Sequence, residues 1–276
     1  MDPVNLDDGP GGPRGPDTTA LDARLRALGR VAVAVSGGVD SSVLLHAAVR
    51  VLGEVAAVGV VADSASLARR ELEEARRVAA AIGARLVELR TDEGDDPRYQ
   101  ANAGDRCYFC KAALFRAMEG FARAEGIPWL AFGEIADDAL DHRPGARAAH
   151  EFGVVAPLAE AGWTKADVRA YARAMGLEVA DKPASACLAS RLPVGTRVTP
   201  ERLAVVERAE DALRALGLLQ LRVRHLGARA RVEVGPAELA LAERLSGPIA
   251  AALAAEGFEG FELAAYRSPS ERAGQP

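Results

Sequence analysis

The sequence predicts an α/β protein, a parallel sheet with helices between its strands, followed by a small C-terminal α+β domain. Val31 to Val35 is a wholly apolar, β-branch-rich run, the pattern of a strand buried on both faces of a parallel sheet. Further strand-like runs at Val55 to Val61, Arg85 to Arg90 and Pro128 to Gly133 are separated by stretches with apolar residues at helical spacing. From Thr199 the pattern becomes helix, strand, strand, helix, strand. The 276 residues, 49% hydrophobic and 26% charged, can bury an ample core in a soluble globular chain. The expected boundaries are 1–20 for a disordered tail, 21–192 for the parallel-sheet domain and 193–276 for the small domain.

The elements follow in order. Met1 to Thr19 contains DGPGGPRGPD, too rich in proline and glycine to pack, and reads as disordered. Leu21 to Leu28 forms a short helix. Val31 to Val35 then runs into Ser36-Gly37-Gly38, and from Asp40 the stretch DSSVLLHAAVRVLG is helical up to Gly53. A strand, a tight glycine turn and a helix N-terminus let backbone N–H groups converge on a phosphate or pyrophosphate. No lysine follows the glycines as GxxxxGK[ST] requires, so Walker-type chemistry is disfavoured. The carboxyl end of Val55 to Val61 is expected beside that of the first strand, where open α/β sheets bind ligands.

Ser66 to Ile82 reads as a helix with a solvated charged face, Arg85 to Arg90 as a third strand and Thr91 to Asp105 as a loop. Cys107 and Cys110 stand in CxxC spacing just before a helix over Lys111 to Glu125; such a pair can share an ion or cluster, or form a redox disulfide. The strand at Pro128 to Gly133 opens onto Asp137, Asp138, Asp141, His142, Arg143 and Arg147, a density suited to an anionic substrate or Mg²⁺. The four histidines are scattered, which disfavours zinc. Thr164 to Met175 is a capped helix stopped by Gly176, and DKPASACLASR then carries Cys187 among small residues. In the C-terminal part, Thr199 to Leu216 is a helix, Leu219 to His225 and Ala228 to Val234 are strands about a Gly227 turn, Pro236 to Glu256 is helical, and Phe258 to Tyr266 is a third strand. That order suggests an antiparallel sheet.

Composition bounds the function classes. A net charge of −5 argues against a general nucleic-acid binder and for a small-molecule partner. The acidic N-terminus shows no signal peptide and no apolar stretch spans a membrane, so a cytoplasmic location is expected. Three cysteines, an odd number, make no disulfide framework and suit a reducing compartment.

SGGVDSS resembles the pyrophosphate loop of the PP-loop ATP pyrophosphatases, which cleave ATP between the α and β phosphates and place AMP on a substrate oxygen. With RCYFCK, ADD followed by RPGARA, APLAEAGWTKADVR, DKPASACLASR and RVRHLGARARVEV in the same order, the chain resembles the LarE sulfurtransferases over about Leu21 to Tyr266. Those enzymes make pyridinium-3,5-bisthiocarboxylic acid mononucleotide, precursor of the nickel-pincer nucleotide cofactor. The sequence departs from the family at Glu134-Ile135, where a threonine-asparagine pair is expected before ADD.

The resemblance implies ATP held by Ser36, Gly37, Gly38, Asp40, Ser41 and Ser42, with Asp40 supporting Mg²⁺ and the adenine lying along Val60, Val61 and Ala62. It implies a small-molecule nucleotide substrate, with Arg191 among its ligands; Arg222 and Arg224, two apart on one strand and so on one face, are expected to grip its phosphate with help from His225. Some family members sacrifice the sulfur of a single cysteine at the Cys187 position; others bind an iron–sulfur cluster on three. With Cys107, Cys110 and Cys187 all present, a 4Fe-4S cluster is expected, its fourth iron free of protein ligands and carrying the sulfide to be transferred. A homo-oligomer and hand-over to a nickel-inserting protein are further expectations. The rival readings are a PP-loop tRNA thiolase, disfavoured by the acidic charge, and a non-catalytic ATP-binding regulator.

Overall fold

The computed structural model describes residues 15–140, 144–183 and 185–266. Most of the expected tail, and Asp141, His142 and Arg143, lie outside the described residues. The helices are α1 (Thr19–Leu28), α2 (Val39–Leu52), α3 (Arg69–Ile82), α4 (Pro97–Ala101), α5 (Arg106–Glu125), α6 (Pro144–Glu151), α7 (Pro157–Glu160), α8 (Lys165–Ala174), α9 (Pro200–Ala215), α10 (Leu239–Arg244) and α11 (Ser246–Ala255). The strands are β1 (Val31–Ala34), β2 (Ala57–Asp63), β3 (Arg85–Arg90), β4 (Trp129–Phe132), β5 (Leu221–Leu226), β6 (Arg229–Val234) and β7 (Gly260–Ala265). Among the described residues no helix is long and apolar enough to cross a membrane.

The chain divides into two compact units. The first comprises the chain up to Asp63 with Arg69–Thr91 and Lys111–Ser185; the second comprises Ser64–Ala68, Asp92–Cys110 and the chain from Ala186. All three cysteines fall in the second unit.

The first unit is built on a four-stranded, all-parallel sheet in the order β3-β2-β1-β4. Every residue of β1 is buried, as its apolar run predicts. The chain steps from β1 outward through β2 to β3 and then returns to the other side of β1 as β4. The strand order therefore reverses beside β1, and the crevice beyond the carboxyl ends there is where such sheets receive ligands. Thr164 caps α8 with Asp167 in a reciprocal capping box, which fixes the start of that helix.

The second unit holds a three-stranded sheet, β5-β6-β7. Its core gathers Val223, Ala230, Val232 and Val234 from the strands with Leu213, Ile249, Leu253 and Phe258. The expectation of an antiparallel sheet is corrected here: β5 and β6 are antiparallel across the Gly227 turn, but β7 pairs parallel with β6. The helices between β6 and β7 form a crossover that returns the chain to the same end of the sheet, which makes the next pairing parallel. The single helix expected over Pro236 to Glu256 is instead α10 and α11. Pro248 lacks an N–H and would clash with the Arg244 carbonyl, so α10 ends there.

Two further boundaries differ from expectation. The loop expected over Thr91 to Asp105 is largely helical, with a 3₁₀ turn at Glu93–Asp95 and then α4, which Asp96 caps and left-handed Asn102 ends. Asn102 is buried and its Nδ2 donates to the carbonyls of Pro193 at 2.8 Å and Thr196 at 3.1 Å, pinning the segment within its unit. The CxxC pair also does not precede its helix but lies in the first two turns of α5.

Candidate functional site

In the first unit the site grows from the turn joining β1 to α2. Gly37 has φ +72°, a left-handed conformation that disfavours any side chain, and Gly38 is the extended N-cap of the 14-residue α2. Ser36 Oγ lies 3.4 Å from the Gly38 N–H and 3.2 Å from Ser41 Oγ. Ser41 and Ser42 are buried, and both hydroxyls donate to the Gly38 carbonyl, at 3.1 and 2.9 Å. Those two serines therefore shape the turn. The open groups are backbone N–H groups at a helix N-terminus, an anion-binding arrangement.

Gly133, just past β4, makes the turn possible from the other side. A Cβ there would stand 2.7 Å from Ser41 N and 2.9 Å from Asp40 C, both rigid backbone in the first turn of α2. Gly133→Ala is therefore expected to push α2 off the sheet, costing about 1–3 kcal/mol of stability and most ATP affinity. Thermal unfolding and nucleotide titration check this, and an unchanged ATP Kd would contradict the close approach.

Asp40 projects from the first turn of α2, and Lys165 Nζ donates to both its oxygens at 2.7 Å. Lys165 opens α8, and its backbone N–H donates to Asp137 Oδ2 at 2.8 Å. A second lysine, Lys182, donates to the Gly37 carbonyl at 2.9 Å. Neither lysine, nor Gly133, was singled out by the sequence reading. Val60 and Val61 are buried within β2 and Ala62 is half-buried toward its carboxyl end; β2 adjoins β1 in parallel, so both carboxyl ends lie at one edge. Asp138 Oδ2 accepts from the Ile135 N–H at 3.4 Å, so with Asp137 it is engaged in shaping the loop after β4.

In the second unit Arg222 and Arg224 share one face of β5. Arg224 pairs with Glu233 at 2.6 Å and donates to the Ser190 carbonyl at 3.2 Å, while the Arg222 guanidinium stacks 4.3 Å from the Tyr266 ring centre. Burial pulls the pKa of Arg222 down; Tyr266 opposes that, and the charges of Arg191 and Arg224 add to it. Arg224 and Arg231 line a cavity of about 620 Å³ with Pro193, Leu226 and Glu233. Arg191 itself is 3% exposed, its guanidinium engaged with Glu210 at 2.8 Å and with the Ala186 carbonyl at 2.5 Å. Burial raises the pKa of Glu210, and the charges and hydrogen bonds of Arg191 and Arg214 outweigh this and hold it below its ordinary value. His225 is not brought to the arginines. Its ring meets Phe258 edge-on at 5.4 Å on the opposite, core-facing side of β5.

Cys110 and Cys187 pack against one apolar cluster with Tyr99, Leu188, Ala189 and Leu192. Burial pushes the Tyr99 hydroxyl up, and Cys110 and Cys187 push it further. Cys107 is exposed, a helical turn before Cys110 on α5. Among the described residues no three His, Cys, Asp or Glu side chains converge as a metal-ion site. In kind, three cysteine thiols suit iron and sulfide, and two of them pack against the same apolar cluster.

The asparagine synthase family matches residues 18–107. The chain is 43% identical over 212 residues to an uncharacterized protein of Synechocystis sp., covering 77% of this chain and 79% of that one. It is 36% identical over 219 residues to the pyridinium-3,5-bisthiocarboxylic acid mononucleotide synthase of Lactiplantibacillus plantarum, covering 79% of each. An uncharacterized protein of Methanocaldococcus jannaschii is 28% identical over 133 residues, 48% of this chain and 52% of that one. The glycine turn at the sheet's switch point and the likeness to the Lactiplantibacillus synthase agree: the chain belongs to the LarE family of ATP-using PP-loop sulfurtransferases.

Proposed function

We propose that the chain activates the carboxylates of pyridinium-3,5-biscarboxylic acid mononucleotide with ATP and converts them to thiocarboxylates for nickel-pincer nucleotide cofactor synthesis. The observation that carries this reading is the Ser36–Gly38 turn with Asp40 on α2, in a chain 36% identical to a named synthase of the thiolated product. A carboxylate is a poor acyl donor because its oxygen leaves badly. In the first step a carboxylate oxygen attacks the α-phosphorus and pyrophosphate departs; in the second, sulfur attacks the acyl carbon and AMP departs.

The N–H groups of the turn and the α2 N-terminus receive the phosphates, and Lys165 offers a positive charge beside them. Mg²⁺ needs only one or two protein carboxylates beside water and phosphate oxygens, so Asp40, whose two oxygens already face a cation, suits it. Ser36 Oγ, 3.4 Å away, engages the Gly38 N–H only weakly and leaves it for phosphate. In the second unit Cys107, Cys110 and Cys187 would hold a 4Fe-4S cluster, which when bound supplies sulfur as sulfide. A homo-oligomer in the cytoplasm that hands its product to a nickel-inserting protein completes the reading.

Arg222 and Arg224 would bind the substrate phosphate, their mutual repulsion being relieved by an anion. Replacing both by alanine is expected to raise the substrate KM at least about tenfold with kcat little changed, and an unmoved KM would return them to a purely structural role. The reading as a whole is tested by mixing protein, Mg-ATP and the dicarboxylate mononucleotide. Pyrophosphate release that depends on the mononucleotide is expected, and its absence would favour a non-catalytic ATP-binding regulator.

A further inference from the structure

We infer that Lys182 is a positioning residue for the pyrophosphate turn, holding the Gly37–Gly38 peptide in its anion-binding orientation through the Gly37 carbonyl. The inference rests on the ATP-using reading above and adds to it a residue that never touches the nucleotide. Lys182 is 14% exposed at its side chain and its ammonium has three N–H donors. All three are engaged, with the Gly37 carbonyl at 2.9 Å, Glu71 Oε2 at 2.7 Å and Glu74 Oε2 at 2.7 Å. No donor is left for a phosphate, so Lys182 acts only through the backbone it grips.

The grip has a direction. Among the described residues every peptide bond is trans, and across a trans peptide the carbonyl of one residue and the N–H of the next point opposite ways. With its carbonyl drawn to Lys182, Gly37 leaves the Gly38 N–H facing the other side, toward Ser36 Oγ. That contact is 3.4 Å, longer than a good N–H···O bond of about 3.2 Å at most, so the N–H is presented and only weakly engaged. Gly37 needs such a clamp because, without a Cβ and at φ +72°, its peptide can flip at little steric cost.

The clamp is itself fixed. Glu71 and Glu74, a turn apart on α3, both hold the ammonium, and Glu71 Oε1 is itself fixed by Ser185 Oγ at 3.2 Å and Arg70 at 3.3 Å. The choice of residue also fits. Only Lys111, Lys165 and Lys182 are lysine among 34 basic residues, and the three N–H donors of a compact ammonium match the three oxygens gathered here.

The test compares Lys182→Met with the triple variant Lys182→Met, Glu71→Gln, Glu74→Gln, which removes the lysine without leaving two bare carboxylates. Calorimetry with ATP, AMP and inorganic pyrophosphate as separate probes is expected to show ATP and pyrophosphate binding about tenfold to a hundredfold weaker in both variants, with AMP binding unchanged. A triple variant that binds ATP normally would overturn the clamp, since charge balance alone would then suffice. So would a loss of AMP and ATP binding together with a fall in Tm, which marks Lys182 as a fold element only. Failure of the wild-type protein to bind ATP would overturn the ATP-using reading itself, a result separate from any property of Lys182.

Discussion

Asp40→Asn is expected to lower mononucleotide-dependent pyrophosphate release by about a hundredfold to a thousandfold, the loss typical of removing one group aimed at transition-state charge, while leaving the fold intact. The Asp40 and Lys165 side chains are 25% and 39% exposed, so their ion pair contributes at most about 1 kcal/mol to stability. What the substitution removes is the carboxylate that two N–H groups of Lys165 now face and that Mg²⁺ would face when ATP arrives. Lys165→Met provides the complementary experiment. It frees Asp40 for Mg²⁺ and removes the positive charge beside the turn, so pyrophosphate release should fall while circular dichroism and Tm stay near those of the wild type. Normal pyrophosphate release by both variants would exclude this turn as the adenylating site. A fall in Tm of many degrees would instead give the pair a structural role.

The elements that were legible in the sequence are those whose signal is local. β1 declares itself by an unbroken apolar run, the turn by two glycines between a strand and a helix, and α8 by Thr164 placed three residues before Asp167. The elements that were not legible depend on distant partners. β7 joins β6 in parallel because a crossover brings it back, and nothing within FELAA encodes that direction. Lys165 and Lys182 reach Asp40 and Gly37 across 125 and 145 residues of chain, and no motif links either pair. The one trace of them in the sequence is compositional: they are two of only three lysines in a chain that uses arginine for nearly all its positive charge. Arg191 shows the opposite limit. The resemblance implies a substrate ligand at Arg191, and its burial against Glu210 is a tertiary fact that the motif DKPASACLASR does not contain.

Protein made and purified without oxygen is expected to be brown, with absorbance and, on reduction, electron paramagnetic resonance typical of a four-iron cluster. Any one of Cys107→Ala, Cys110→Ala or Cys187→Ala should lose that colour and with it sulfur transfer. The same variants should keep pyrophosphate release, because the turn, Asp40 and Lys165 all belong to the first unit and the three thiols to the second. That separation makes the experiment decisive, since a loss of both activities would point to general unfolding. A sacrificial mechanism predicts a different pattern: colourless anaerobic protein, one turnover per chain, Cys187 lighter by the mass of hydrogen sulfide, and undiminished activity in Cys107→Ala and Cys110→Ala. Two features weigh toward the cluster. Cys110 lies with Cys187 around Tyr99, a pairing that a lone sulfur donor at Cys187 does not need. Cys107 stands one helical turn from Cys110, so the two thiols share a face of α5 near its N-terminus, the close spacing that two ligands of one cluster need.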